Sequence, residues 1–309
     1  MAPVIEFEMI TDMAETVELL DRSFPNGFRH DARYLDWLYR DSGPAAAKVV
    51  AVMRAGRKIG QMVFLPRDME IAGETRRYGL VVDFFILPEH RSGPLTIRLC
   101  RQAVEMVAAA GLDGIFGVPN AVSMGITPRL LKPKITRKLE VRAGLAVPRR
   151  DRVMSRRVSD LSDAALEDLV RPFVAWPRGG QVWSALLLRR RLKSPSTDFS
   201  VHVCDDVLAV SCRVAIRGFM FTMLSGFLSP SKAAIPRSVL RRLIGAACAA
   251  QRRPQFCYIG YNAALAELPG FAVPPRFHPS PMTITSRPLA RPDEECLPDR
   301  FELIDFDLV

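Results

Sequence analysis

The fold predicted for this chain rests on residues 80–120, which read LVVDFFILPEHRSGPLTIRLCRQAVEMVAAAGLDGIFGVPN. An apolar strand ends at Pro88, a short Arg-Ser-Gly-Pro turn opens a helix, and a second strand closes at Asn120. A glycine-containing turn at a helix N-terminus collects backbone NH groups around an anion, and the helix dipole adds about half a positive charge there. The stretch therefore predicts a site that holds a phosphate group.

The same stretch carries residues on which the chain resembles a known family. They are Asp83, Pro88-Glu89, Arg91, the helix register from Leu95, and Gly117-Val118-Pro119-Asn120. On these residues the chain resembles the GNAT superfamily of N-acetyltransferases, whose fold binds acetyl-coenzyme A with a strand, an Arg/Gln-x-x-Gly-x-Gly/Ala loop and the following helix. Aligned on Arg91, the first glycine of that loop becomes Pro94 and the second small residue becomes Thr96.

The resemblance implies that acetyl-coenzyme A, or another acyl-coenzyme A, is the co-substrate and that no metal takes part. Because proline supplies no NH, the donors expected at the pyrophosphate are Ser92, Gly93 and Leu95. The expected cofactor-binding residues are Phe85, Ile86, Leu87, Arg91, Ser92, Gly93, Leu95, Thr96 and Asn120. The loops before the first sheet flank the acceptor in this family, so the residues expected to bind a small-molecule amine are Phe28, Tyr34 and Trp37.

Acyl transfer to an amine needs a group that takes the amine proton. In many members of the family this group is an acid on the strand that leads into the loop, and Asp83 occupies that position. A structural role for Asp83, pairing with an arginine or capping a backbone, is the alternative. Glu89 is the second catalytic candidate. The general acid stays open, since the family's usual tyrosine is absent here. Either the thiolate leaves without a dedicated acid, or Tyr258 or Tyr261 supplies the proton from the second half, or the chain is not a typical catalyst.

Hydrophobic periodicity predicts an α/β (α+β) chain with mixed, mostly antiparallel sheets flanked by helices. Strands are expected over 48–54, 58–71 and 75–87, followed by a helix over 94–110 and a strand over 115–118. Ala-Gly pairs separate the first three strands, which favours hairpins. An antiparallel meander followed by a strand-helix-strand unit is the order that the resemblance requires.

The second half of the sequence repeats this order. Pro88, Pro94 and Asn120 recur as Pro230, Pro236 and Asn262, each 142 residues later, while Asp83 becomes Ser225 and Arg91-Ser92-Gly93 becomes Ala233-Ala234-Ile235. Such self-similarity indicates two copies of one unit. We therefore predict two tandem acetyltransferase-like domains: an acyl-coenzyme-A-binding domain over 1–148, a linker with a helix over 149–175, and a degenerate second domain over 176–309.

Composition limits the remaining classes. With 49% hydrophobic and 25% charged residues and no apolar run long enough for a membrane span, the sequence is typical of a globular, cytoplasmic protein. Six cysteines without Cys-x-x-Cys spacing and four scattered histidines predict neither a disulfide framework nor a metal site.

The net charge of +10 favours acidic partners. Arginine clusters recur along the chain but lack interleaved aromatics, so the pattern does not favour nucleic acid as a partner. Two alternatives to acetyl transfer stay open: long-chain N-acyl transfer from an acidic acyl carrier protein, and a non-catalytic acyl-coenzyme-A-binding module.

Overall fold

The computed structural model describes residues 2–9, 11–24, 31–148, 152–174, 179–216, 218–291 and 298–306. Within these ranges the helices are α1 (Met13–Ser23), α2 (Ala32–Arg40), α3 (Gly93–Ala109), α4 (Ala121–Leu130), α5 (Asp163–Val174), α6 (Ala185–Leu192) and α7 (Arg237–Gln251). None of these described helices is long and apolar enough to cross a membrane.

Sixteen strands form one sheet over the described ranges. They are β1 (Val4–Phe7), β2 (Lys48–Arg54), β3 (Arg57–Ile71), β4 (Glu74–Ile86), β5 (Gly114–Gly117), β6 (Lys134–Lys138), β7 (Glu140–Leu145), β8 (Met154–Arg157), β9 (Gly180–Gln181), β10 (Ser200–Cys204), β11 (Val207–Ile216), β12 (Phe219–Leu228), β13 (Gln255–Asn262), β14 (Phe271–Ala272), β15 (Thr283–Pro288) and β16 (Arg300–Glu302). The predicted class, a mixed α/β fold with a mostly antiparallel sheet, is confirmed.

The first half of the sheet is an antiparallel meander of β1, β2, β3 and β4. The hairpin turns begin at Ala55 and Ala72, which adopt positive φ angles of 51° and are each followed by glycine, as the predicted hairpins require. Strand β4 then runs parallel to β5, but the pairing ends at Leu80 and Phe116 although β4 continues to Ile86. The two strands therefore separate, and we call the gap between them the first wedge.

The second half repeats the arrangement. Strands β8, β10, β11 and β12 pair antiparallel, and β12 runs parallel to β13. This parallel pairing ends at Leu224 and Tyr258, while β12 continues to Leu228. The gap between β12 and β13 is the second wedge.

Two strands pair across the halves. Strand β7 lies beside β13 of the second half, whereas β15 lies between β5 and β6 of the first half. Val141 of β7 and Thr283 of β15 are 142 residues apart, so the crossing strands occupy equivalent places in the repeat. Each half therefore completes its sheet with a strand from the other, and the division into 1–148, 149–175 and 176–309 stays a prediction.

The core lies between the sheet and the helices that cover it. Helix α3 buries Leu95, Leu99, Ala103 and Val107 on one face, which is the spacing that a helix packed on a sheet requires. The cysteines at 100, 204, 212, 248 and 257 are free thiols buried in the packed interior, and Cys296 lies outside the described residues.

Candidate active site

A β-bulge in β4 shapes the edge of the first wedge. Gln61 pairs with Phe85 and Val63 pairs with Val82, so Asp83 and Phe84 together oppose one residue of β3. A bulge re-aims the side chains at the extra residue. Asp83 adopts φ 46°, in the left-handed region that Asp tolerates better than most residues. The predicted base candidate is therefore the residue at which the strand changes its course.

Two polar side chains, Tyr39 and Gln61, connect to Asp83 through hydrogen bonds. The Tyr39 hydroxyl of α2 donates to Asp83 Oδ2 at 2.7 Å, and Gln61 Nε2 of β3 donates to the Tyr39 oxygen at 3.1 Å. Tyr39 and Gln61 are buried and Asp83 is half-buried. Burial, followed by the Asp83 carboxylate, raises the pKa of Tyr39 well above its ordinary value. The hydroxyl thus stays protonated as a donor to Asp83.

The turn after β4 leads into α3 as predicted, with Ser92 as the N-cap. The Ser92 hydroxyl accepts from the Leu95 amide at 3.4 Å, and Pro94 lies in the first helical turn, where its missing NH costs nothing. Among the described residues, none accepts a hydrogen bond from the backbone NH of Ser92 or Gly93. A side chain at Gly93 would meet no atom within 4 Å. These amides and the helix N-terminus can bind an anion.

Arg91 folds back onto the chain. Its Nε donates to the Ile86 carbonyl at 2.8 Å and its Nη2 donates to the Ser23 carbonyl at 3.2 Å. The guanidinium therefore joins the end of β4 to the end of α1 and fixes the turn. Thr96 has a local role, since its hydroxyl donates to the Ser92 carbonyl at 2.9 Å.

The other expected cofactor-binding residues divide into two groups. Phe85, Ile86 and Leu87 are buried at the end of β4, so their side chains belong to the core. Asn120 is exposed and accepts from the Ser123 amide at 2.9 Å, which caps α4.

Glu89, the second catalytic candidate, is half-exposed at the surface. Its carboxylate pairs with Arg22 at 2.6 Å, and half of each side chain is open to solvent. An exposed pair of this kind contributes about 0 to 1 kcal/mol to stability. Asp83 lies three residues beyond the end of the parallel pairing of β4 with β5 at Leu80, whereas Glu89 lies in the turn after β4.

Of the residues expected at the acceptor, two are described, and both are buried in α2. Tyr34 packs against Trp37 with ring centroids 5.7 Å apart. The Trp37 indole NH donates to the Arg190 carbonyl of α6 at 3.0 Å, and the Arg191 guanidinium lies 5.6 Å from its ring. Trp37 thus contacts the second half, and Phe28 lies outside the described residues.

The second half has different chemistry at the equivalent places. A bulge recurs at Ser225, because Val210 and Ser211 are adjacent but pair with Gly226 and Leu224. The tyrosines that remained open as general acids are engaged elsewhere. The Tyr258 hydroxyl donates to Glu302 at 3.1 Å, and the Tyr261 ring lies 3.7 Å from the Arg137 guanidinium.

A known family matches the part of the chain that forms the first wedge. Residues 9–129 match the model of the acetyltransferase (GNAT) domain. This range holds β2 to β5 together with α1 to α3. No protein with a curated function matches the chain in sequence.

Solved structures share the fold over nearly the whole chain. One, from Enterococcus faecalis, is described as a probable N-acyltransferase; it is 11% identical, with a TM-score of 0.63, 94% of this chain covered and 73% of the other. A GCN5-related N-acetyltransferase from Kribbella flavida is 15% identical, with a TM-score of 0.62 and coverage of 93% and 72%. Another from Anabaena variabilis is 10% identical, with a TM-score of 0.57 and coverage of 92% and 72%.

The protein is therefore an enzyme of the acyltransferase class. The match of residues 9–129 to the GNAT acetyltransferase domain confirms the resemblance over that part of the sequence.

Proposed function

We propose that the protein transfers an acetyl or other acyl group from coenzyme A directly to the amine of a small molecule. The observation that carries the proposal is Asp83, a half-buried carboxylate on the bulge of β4 beside the first wedge. Nine residues later the chain reaches the anion-binding turn at Ser92. One strand thus joins a proton acceptor to a phosphate site.

The residues present fit coenzyme A as co-substrate. The amides of Ser92 and Gly93 and the dipole of α3 suit a pyrophosphate, and the open space at Gly93 lets it approach the backbone. Arg91 would order this turn through its two carbonyl contacts. Leu95 and Thr96 support the turn by bonding to Ser92, while Asn120 would face the cofactor only from the start of α4.

In the proposed reaction, Asp83 accepts the proton of the acceptor amine. The amine nitrogen then forms a bond to the thioester carbonyl carbon while the carbon–sulfur bond breaks. The electron pair of that bond goes to the departing sulfur. As the amide forms, the nitrogen releases its second proton to solvent, and the thiolate sulfur takes one proton from solvent. Coenzyme A supplies only the activated acyl group, and Asp83 supplies the general base, a contribution of typically about 100-fold to 10,000-fold.

The second half is proposed to be a degenerate copy of the same unit. Its strand order and bulge repeat those of the first half, yet Ser225 replaces the carboxylate. Its turn, Ala233-Ala234-Ile235, has neither a glycine nor a cation. The acceptor pocket is proposed to lie on the α2 side of the first wedge, near Tyr34 and Trp37.

The test is the variant Asp83→Asn, with Ser225→Ala as the matched control in the second half. We expect Asp83→Asn to lower kcat about 100-fold or more and to leave the Kd for acetyl-coenzyme A within about twofold. The control should match the wild type. Full turnover in Asp83→Asn would dismiss Asp83 as the base.

The same assay separates the alternatives. A wild-type protein that binds acetyl-coenzyme A without turning over any amine is a non-catalytic binding module. Turnover with a long-chain acyl carrier protein, but not with acetyl-coenzyme A, identifies the carrier as the donor.

A further inference from the structure

Three side chains from three elements form a chain of hydrogen bonds that ends at Asp83. Gln61 of β3 is fully buried, Tyr39 of α2 is 3% exposed, and Asp83 is half-buried. The distances are 3.1 Å from Gln61 Nε2 to the Tyr39 oxygen and 2.7 Å from that oxygen to Asp83 Oδ2. These residues are 22 and 44 positions apart in sequence, so the fold alone brings them together.

The hydrogen bonds among these three side chains run in one direction, from Gln61 through Tyr39 to Asp83. The Gln61 Nε2 group has hydrogens but no lone pair to offer, so the Tyr39 oxygen must accept there. The single Tyr39 proton is then directed to Asp83. As a result the carboxylate receives a hydrogen bond that favours its charged form, and it is held in one orientation on the bulge.

We infer that Tyr39 is a positioning residue that aims Asp83 into the first wedge and keeps it ionised for proton transfer. This inference rests on the proposed function, since it requires Asp83 to act as the base. Besides Asp83, the charge of Glu8, which follows β1, acts on Tyr39, and Glu8 pairs with Lys58 of β3 at 2.8 Å. Because these two compensate each other, Asp83 is the charge on which Tyr39 acts most directly.

The test is Tyr39→Phe, which removes one oxygen and keeps the ring. We expect kcat to fall about tenfold with KM for acetyl-coenzyme A unchanged. The acidic limb of the pH–rate profile should move up by about one pH unit, because the carboxylate loses the bond that favours its charged form. The control is Tyr258→Phe, which removes another buried tyrosine–carboxylate bond but in the second half.

Two results would overturn the role of Tyr39. One is unchanged kcat; the other is a lower kcat with an acidic limb that does not move, which indicates loss of folding stability only. Failure of the proposed function gives a different result. If Asp83 is not the base, Asp83→Asn is fully active; if only the role of Tyr39 is wrong, Asp83→Asn loses activity and Tyr39→Phe does not.

An independent observation concerns the second wedge, where residues 300–306 lie between β12 and β13. Gly260 of β13 pairs with Glu140 of β7 and also with Glu302 of β16, so β7 and β16 lie on opposite edges of β13. Residues 256–258 of β13 pair with β7 on one edge and with β12 on the other, so β12 and β16 lie on the same edge of β13. Strand β16 therefore occupies the edge that β12 has left.

The contacts of this segment bridge the two strands of the second wedge. Glu302 is fully buried; its Oε2 accepts from the Phe227 amide of β12 at 2.9 Å and its Oε1 accepts from Tyr258 of β13 at 3.1 Å. A Cβ atom at Gly226 would lie 2.8 Å from Ile304, and one at Gly260 would lie 2.8 Å from the Glu302 backbone. Both β12 and β13 thus donate a hydrogen bond to the Glu302 carboxylate.

Contacts from other elements hold the segment in place. Arg191 of α6 donates to the carbonyls of Ile304 and Phe306, each at 2.9 Å. Asp305 accepts from Arg300 at 3.1 Å and from the Trp183 indole at 3.1 Å. All the charged side chains among these are buried, so the segment is packed as part of the core.

We propose that residues 300–306 are a permanent internal occupant of the second wedge, so that each chain binds a single acyl-coenzyme A. Hydrogen exchange should show that acetyl-coenzyme A slows exchange in 81–96 and leaves 223–238 unchanged, and native mass spectrometry should show one bound molecule. A second bound molecule, or new protection in 223–238, would overturn the proposal.

A readout without coenzyme A keeps this proposal separate from the proposed function. In Glu302→Ala the Phe227 amide loses its acceptor, and its exchange should accelerate at least tenfold; Glu302→Gln retains an acceptor oxygen and should exchange slowly. If Glu302→Ala does not fold, exchange of the Phe227 amide is compared between the wild type and Glu302→Gln, and it should be slow in both. Fast exchange at Phe227 in the wild type would contradict an occupied wedge.

Discussion

The first and second wedges are built by the same succession of elements, and they differ in what lies between their strands. In both, an antiparallel meander ends in a bulged strand that runs parallel to the next strand for three residue pairs and then leaves it. Within the described ranges, no segment pairs with β4 or β5 inside the first wedge, and the β4 residues 81–84 stay half-exposed. The second wedge holds residues 300–306.

The difference separates the scaffold from the chemistry. The bulge forms around Asp83 in one half and around Ser225 in the other, so the carboxylate is not what makes the strand bulge. What distinguishes the first half is the charge on the bulge and the glycine-containing turn before α3. These are the residues that the proposed reaction needs.

Backbone chemistry explains why the second wedge is filled. Strands that separate leave NH groups without a strand partner, and buried NH groups need an acceptor. In the second wedge the Glu302 carboxylate accepts the hydrogen bond from the Phe227 backbone NH. In the first wedge the described strand pairing of β4 with β5 ends at Leu80, and under the proposed function a thioester carbonyl is the acceptor expected beyond it.

The largest effect that the comparison predicts is on cofactor affinity. Ser92→Asp keeps an N-cap acceptor at the start of α3 and adds a negative charge where the phosphates are proposed to bind. We expect the Kd for acetyl-coenzyme A, measured by calorimetry, to rise about tenfold or more, equivalent to about 1.4 kcal/mol.

The equivalent change in the second half is the matched control. Ala234 is exposed, and it is the residue at the offset of Ser92. Ala234→Asp should leave the Kd unchanged, because no phosphate is proposed to bind there. Equal weakening in both variants would mean that overall charge, and not the turn, determines affinity.

Local sequence predicted the elements of the first half closely. Strand β2 has the predicted bounds, 48–54, and α3 begins and ends one residue before the predicted range 94–110. Both depend on patterns within the element itself: apolar alternation for the strand, and serine, glycine and proline at the helix start. Strand Gly114–Gly117 is likewise displaced by one residue from the predicted 115–118.

The candidate site was predictable only in part. The strand acid and the turn lie close in sequence, so a motif could indicate them. Tyr39 carried no local signal. The resemblance implied roles for Tyr34 and Trp37, and nothing in the sequence shows that Tyr39 reaches a carboxylate 44 residues away. That contact depends on how α2 packs over the sheet.

The exchange of partners between the halves was also beyond local sequence. Strands β7 and β15 have no feature that selects a neighbour, because strand pairing is decided by contacts far apart in the chain. Strand β16 spans three residues, two of them charged, which is not a strand pattern. Inside the second wedge the buried Arg300 pairs with two carboxylates, Glu302 at 3.5 Å and Asp305 at 3.1 Å.

The smallest effect concerns the pH dependence of stability, and it reports on the second wedge alone. Burial is the main cause that raises the pKa of Glu302 to about 7. A raised folded-state pKa gives stability that is present below about pH 4.5 and is lost as the pH rises through 7, on the order of 1 to 3 kcal/mol. Glu302→Gln cannot titrate, so its Tm relative to wild type should be higher at pH 8 than at pH 5. The same relative Tm at both pH values would mean that Glu302 is already ionised at pH 5, and the buried carboxylate would then be held by Arg300 more strongly than burial opposes it.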